Sequence, residues 1–438
     1  MLLELPVQHL SDATGVAPEG ARLVIGLFLC QLMAISHRYL LSRLLAETPL
    51  RLVHLAMGLL IGYFVWGNYL LHHITSAAGF YLMFSLLPWD LAAKLNFVYQ
   101  LMYLVLGYYH NNMVRDYAIN WTTSQSILTL KMIGLGLDLN DSAKLTPTKM
   151  PSILGVFGYT VFFGTYVVGP LDTYKRFNSF MSGELLGEAQ PPFRMALTRF
   201  CHGIFYMVLS VICTGFFTTE FIFTADFSSL LFPVRLLYVT AWGHCCLYKY
   251  LGVWCIAEST CMHMGYTYNG AGGWDGLRNV ATASFHRATK LADIIKTWNI
   301  NTSGWCARHI YKRCRFLGDR NLSALVTMVF LATWHGLHLG YYVCFLQEFL
   351  YMAMERGMAS NRLFQEIRSR VSPTLLTAVS WLYAKVFLSF SLVGFELYHY
   401  NTIMLVYKEL YFVCPVLGGV IILLNTILTD KTVADKSE

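Results

Sequence analysis

The sequence predicts an all-α, polytopic integral membrane protein. Three observations carry that prediction. Of 438 residues, 56% are hydrophobic and only 13% charged, against roughly 25% charged in a soluble domain. The apolar residues fall in blocks, at 22–36, 52–70, 76–88, 152–169, 203–223, 229–256, 322–352, 374–397 and 402–428. A soluble chain of this length could not bury so many apolar stripes. About 20 mainly apolar residues make one helical crossing, so roughly nine to eleven spanning or re-entrant helices are expected.

Residues 1–20 are polar and mixed in charge, with no basic stretch leading into a short apolar core. Residues 22–36 are therefore expected to form the first membrane helix rather than a cleaved signal. The rest reads as one membrane domain, 1–438, without a soluble module. The interval 171–195, with Gly183, Gly187, Pro191 and Pro192, reads as an exposed loop. Residues 429–438 read as a short charged cytosolic tail without fixed structure. The 11 cysteines are scattered, with no CxxC pair and no zinc-type Cys/His spacing. They read as small core residues, and no metal is expected.

The interval 259–321 is different. It is too polar to cross lipid, yet it holds Tyr266, Tyr268, Trp274, Phe285, Trp298, Trp305 and Tyr311. Aromatics at this density do not suit a free loop. Polar backbone survives at membrane depth only when packed in protein or lining a wet cavity. A packed, partly re-entrant segment on the cytosolic side is expected, preceded by tight turns at Gly265, Gly270, Gly272, Gly273 and Gly276. Between Arg278 and Arg320 stand nine basic and two acidic residues, which matches the whole formal excess of +7. Such a stretch suits a cytosolic surface obeying the positive-inside bias and equally a surface for phosphate groups, and both can hold. No nucleic-acid partner is expected.

Two motifs carry the candidate chemistry. In Trp334-His335-Gly336, a histidine ends a long apolar run. An intramembrane histidine is costly and marks a functional candidate. A neutral imidazole can act as a general base; the alternative is a structural histidine holding two helices. Gly336 leaves a gap beside the ring for close approach of a substrate. Trp334 and His338 flank the ring and are expected on the substrate side, although His338 could equally be structural. In Trp298-Asn299, the amide could steady a developing oxyanion or simply cap a helix. Arg308, Lys312 and Arg313 follow Trp305; Arg308 and Lys312, four apart, would share a helical face. That face points either to a cavity mouth, to hold phosphates, or to the cytosol.

These motifs resemble the membrane-bound O-acyltransferase family, in its phospholipid-acting members. The resemblance rests on Asn299 to Arg313, Arg315-Phe316-Leu317-Gly318, Leu331 to His338 and Gln347-Glu348-Phe349-Leu350. Tyr268-Asn269-Gly270 with Trp274-Asp275, Leu128 to Gly136 and Gly169-Pro170 extend it over about 110–360. It implies about 11 membrane helices around a tunnel, with His335 and Asn299 facing each other as the catalytic pair. It implies acyl-CoA as co-substrate, with no permanently bound cofactor, held by Trp298, Trp305, Arg308, Tyr311, Lys312 and Arg313. It implies lysophospholipid as acceptor, with Trp274 and Asp275 near it. The location implied is the endoplasmic reticulum membrane, multi-pass, in contact with the bilayer; a homodimer is allowed for. The reaction implied is transfer of a polyunsaturated acyl chain to the sn-2 hydroxyl of lysophosphatidylcholine, then of its ethanolamine and serine counterparts. One departure is Leu339, where many members have proline, so headgroup or chain preference could differ. The alternatives are another acceptor (sterol, diacylglycerol or protein) or a multi-pass transporter, for which no internal duplication is visible.

Overall fold

The computed structural model describes residues 4–114 and 119–434, and among them there is no strand. The chain divides into two compact units, residues 1–208 with 249–280 and residues 209–248 with 281–438. The segment 259–321 contributes to both.

The first unit opens with α1 (Glu4–Thr14), so the polar N-terminus is itself partly helical. It continues through α2 (Pro18–Ser36), α3 (Glu47–Trp66), α4 (Leu70–Leu86), α5 (Trp89–Val114), α6 (Thr122–Ala143) and α7 (Ile153–Thr160). It then takes in most of α8 (Phe193–Phe216) and the second half of α9 (Phe232–Met264). The interval expected as a loop at 171–195 contains a helix, Tyr174–Met181. Phe177 and Phe180 on it are buried, and their i,i+3 spacing was the overlooked helical signal. The core is aromatic: Phe80, Phe84, Tyr159, Phe162, Phe177 and Tyr266 belong to one buried cluster. Inside it Lys131 and Asp172 pair at 3.1 Å with both side chains fully buried. Lys131 also donates to the Tyr159 carbonyl at 2.8 Å and to the Thr165 hydroxyl at 3.0 Å, and Tyr266 donates to Asp172. Charges so deeply buried persist only when each partner is satisfied in this way.

The second unit holds α10 (Thr282–Arg287), α11 (Leu291–Thr297), α12 (Ile300–Cys306), α13 (Arg320–His335), α14 (Leu339–Ser360), α15 (Pro373–Leu397), α16 (Tyr400–Glu409) and α17 (Val413–Ala434). Sequence signals set their ends. Gly318, at φ 75°, stops the 3-10 turn before α13. Asp319 then caps α13, accepting from the Asn321 and Leu322 amides at 2.6 and 3.0 Å. Ser372 caps α15, with Pro373 in its first turn. α14 and α15 touch through glycine: a Cβ on Gly340 would lie 2.0 Å from the Gly394 carbonyl oxygen. α16 and α17 meet at a 77° bend formed by Tyr411 and Phe412, both with positive φ. Arg235 pairs with Glu409 and donates to the Tyr411 hydroxyl, holding the bend. α17 runs on to Ala434, so residues 429–434 continue a helix instead of forming a loose tail. Residues 435–438 lie outside the described residues.

Among the described residues, four helical stretches are long and apolar enough to cross a membrane: Pro18–Leu44, Glu47–Leu86, Phe193–Phe223 and Pro373–Leu397. The bent pair Tyr400–Glu409 and Val413–Ile427 makes a fifth if it is one span. Nine to eleven are not reached on length and apolarity. α6 buries Ser124, Gln125, Lys131 and Asn140, and α13 has only 16 residues. Polar side chains that find partners inside the protein lower the hydropathy of a helix without exposing it to lipid.

Candidate active site

His335 is the last residue of α13, and Gly336 ends that helix at φ 153°. Aromatic rings enclose the imidazole. Trp334 lies 4.6 Å away edge-on, Phe345 stacks at 5.2 Å, Phe395 meets it edge-on at 5.1 Å, and Tyr341 lies at 5.8 Å. No hydrogen bond to either ring nitrogen occurs among the described residues, so the enclosure orients the ring and leaves its proton-transfer atoms uncommitted. The gap expected at Gly336 is taken by Tyr341: a Cβ on Gly336 would sit 2.7 Å from its ring. The glycine thus admits an aromatic wall rather than a substrate. Trp334 is buried. His338 precedes α14 without capping it, and its ring lies 5.3 Å from Tyr398 and 5.4 Å from His399.

Asn299 occupies the N-cap position of α12, but its side chain makes no capping hydrogen bond. Its backbone is left-handed, at φ 44° and ψ 49°. That conformation costs an L-residue roughly 1–2 kcal/mol, although asparagine tolerates it best after glycine. A backbone held there by its neighbours, with an idle amide, has the character of a functional position. Trp298 before it packs on Phe285 at 5.1 Å.

The remaining expected residues separate into two kinds. Trp305 is buried and stacks on Phe330 of α13 at 5.8 Å. It packs the asparagine motif against the helix that ends in His335. Arg308, Lys312 and Arg313 are exposed and Tyr311 is half-buried. Residues 307–311 form a π-turn, in which the Lys312 amide bonds the Ala307 carbonyl five residues back. This turn holds one residue more than an α-turn would. Trp274 and Asp275 belong to the first unit. Their loop turns around Asn269, whose amide donates to Asp275 at 2.8 Å while its oxygen accepts from the Ala271 and Gly273 amides. Gly265, Gly270 and Gly272 have positive φ there, as turns require.

Sequence reasoning missed the ring walls Phe345 and Phe395. Phe345 lies ten residues beyond the histidine and closes the stretch Gly340-Tyr341-Tyr342-Val343-Cys344-Phe345, but nothing in that pattern points it at the ring. Phe395 is 60 residues away and reaches His335 only because α15 crosses α14. Among the described residues, no group of three His, Cys, Asp or Glu side chains is placed to hold a metal ion. Cys306 is buried in α12, and burial pushes its thiol up to about 12. Burial of this kind disfavours the thiolate, the nucleophilic form.

A family model for the membrane-bound O-acyltransferases matches residues 142–395. Lysophospholipid acyltransferase 5 of Homo sapiens is 33% identical, over 93% of this chain and 89% of that protein. The protein of the same name from Caenorhabditis elegans is 28% identical over 99% of this chain and 98% of its own. A lysophospholipid acyltransferase of Schizosaccharomyces pombe is 24% identical over 94% and 87%. With an all-helical fold, apolar spans and both motifs in the second unit, this chain belongs to the membrane-bound O-acyltransferase family.

Proposed function

We propose that the protein is an acyl-CoA:lysophospholipid O-acyltransferase of the endoplasmic reticulum membrane. His335 takes the proton of the free sn-2 hydroxyl, and that oxygen attacks the thioester carbonyl of acyl-CoA. The Asn299 amide donates to the oxyanion of the tetrahedral intermediate. The intermediate collapses with cleavage of the C–S bond, and the coenzyme A sulfur recovers the proton from His335. Transfer is direct, without an acyl-enzyme. Arg308, Lys312 and Arg313 serve the coenzyme A phosphates, with Trp298 and Tyr311 beside them. Trp334 and His338 serve the acceptor, and Trp274 and Asp275 are assigned to the acceptor from their motif alone. Lysophosphatidylcholine is the first acceptor and a polyunsaturated acyl chain the preferred donor.

The observation that carries this reading is the condition of the two motif residues within one unit. His335 is oriented by aromatic rings alone, and Asn299 is held left-handed with its amide idle. Neither side chain is spent on structure. The test is coenzyme A release by purified protein in nanodiscs, across lysophospholipids and saturated and polyunsaturated acyl-CoAs, for the parent and His335→Ala. Release that requires a lysophospholipid and is lost in the variant supports the reading. Release dependent on a sterol, diacylglycerol or peptide instead, or none from folded parent, refutes it.

A further inference from the structure

Asn299 is reached through a short hairpin. α10 and α11 come first, the Ala281 amide donates to the Thr297 carbonyl at 3.0 Å, and Trp298 and Asn299 follow. The question is what fixes α11, the element directly before the strained asparagine. Its own N-cap, Lys290, supplies no side-chain acceptor. The first amides of a helix have no partner within it, and Leu291 is fully buried, so water does not serve them. The acceptor comes from elsewhere: Glu355 of α14 takes the Leu291 amide at 2.7 Å and the Ala292 amide at 3.2 Å, one on each carboxylate oxygen. A carboxylate at a helix N-terminus also meets the positive end of the helix dipole.

The location of Glu355 gives this cap a larger meaning. α14 begins at Leu339, four residues beyond His335. The helix that starts at the histidine motif therefore carries, near its other end, the group that grips the helix leading into Asn299. Two further bonds hold the same hairpin to α15. Lys385 donates to the Phe285 carbonyl at 3.0 Å, and Trp381 donates to the His286 carbonyl at 2.8 Å. These act on α10, whereas Glu355 alone of the three touches α11. The Gly340–Gly394 contact locks α14 to α15, so all three bonds refer to one frame.

We infer that Glu355 is the positioning residue of the active site, setting where Asn299 stands relative to the His335 helix. The inference rests on the reading of His335 and Asn299 as the catalytic pair. It assigns Glu355 no contact with substrate. Displacing a catalytic group by about 1 Å can cost about 100-fold in rate, so removal of the cap lowers kcat and leaves the KM for either substrate near its parent value.

A double-mutant cycle in the full-length protein tests this, with coenzyme A release normalised to folded protein by size exclusion and thermal unfolding. Glu355→Ala should lower kcat by about 10- to 100-fold in the parent and change the residual rate of Asn299→Ala by less than about twofold, because two residues acting as one do not add. Glu355→Gln keeps one acceptor and should fall between. Equal losses in both backgrounds mean a merely structural cap and overturn the inference. So does an unchanged kcat in Glu355→Ala. If Glu355→Ala does not fold, Glu355→Gln takes its place in the cycle, with kcat lowered in the parent background only; any other pattern overturns the inference. Parent-like turnover by Asn299→Ala would sink the catalytic reading and this inference together, whereas a slow Asn299→Ala with additive losses sinks the inference alone.

Discussion

Gly340 and Gly394 bring the backbones of α14 and α15 into direct contact. A Cβ on Gly340 would fall 2.0 Å from the Gly394 carbonyl oxygen, and one on Gly394 would fall 2.7 Å from the Gly340 carbonyl oxygen. The Gly340 amide also donates to the Tyr398 carbonyl at 3.1 Å. This crossing delivers Phe395 to the His335 ring.

Gly340→Ala should therefore destabilise the protein and disorder the site at once. The obstruction is backbone, which cannot rotate away, so the cost should be at least the 1–3 kcal/mol usual for overpacking. A fall in the unfolding midpoint in detergent, with loss of turnover exceeding the loss of folded protein, is the expected result. An unchanged midpoint would show that the helices separate freely.

Asn299→Gly divides backbone from side chain. Glycine accepts φ 44° without penalty, so the unfolding midpoint should hold or rise. The amide is gone, so kcat should fall about 10²–10³-fold if it stabilises the oxyanion. Asn299→Val should lose stability as well, because a β-branched residue resists that backbone. Parallel melting curves and single-turnover rates would read both effects.

Lys131→Met should cost about 3–5 kcal/mol, because it leaves Asp172 charged and buried in the first unit. Lys131→Met with Asp172→Leu should recover part of that loss, although the Tyr266 hydroxyl is then without its acceptor. Thermal unfolding of the three variants checks the order: parent, then the double variant, then the single variant.

Leu339→Pro should be tolerated. Leu339 is the first residue of α14 and half-exposed, and His338 before it has φ −68° and ψ 135°, the extended conformation that precedes proline. The unfolding midpoint should stay level or rise by the equivalent of about 0.4–1 kcal/mol. Any change in the ranking of lysophospholipids in the release assay would then report a local role of this position in acceptor choice.

Lys312→Glu should raise the KM for acyl-CoA several-fold and leave the KM for the lysophospholipid in place. The effect should shrink as salt is raised, since exposed charges are screened over about 10 Å at 0.1 M ionic strength. A shift in both KM values together would count against a phosphate-binding role.

The helical class and the two motifs were legible in the sequence because they are local. Apolar blocks announce membrane helices, and Trp334-His335-Gly336 and Trp298-Asn299 stand out as polar interruptions. What encloses them was not legible. Phe395 reaches His335 through a helix crossing, and Glu355 reaches Leu291 across 64 residues; neither pairing leaves a periodic trace. Among the described residues, fewer helices than apolar blocks pass on length and apolarity because polar side chains sit among the apolar ones and pair inside the protein: Lys131 finds Asp172 and Gln31 finds the Ile256 carbonyl inside the first unit. The helix at Tyr174–Met181 was hidden by the glycines and prolines that follow it.

The π-turn at 307–311 spends one more residue than an α-turn would. Deleting a single residue there, Ala307 for example, would let α12 continue in ordinary register with its backbone bonds satisfied. Each residue advances an α-helix by about 100°, so Lys312 and Arg313 would swing to another side of the molecule while every charge was retained. Chain length at this turn, more than composition, sets the direction of the basic side chains. A homologue one residue shorter here could keep the whole motif and still present its positive charge to a different surface.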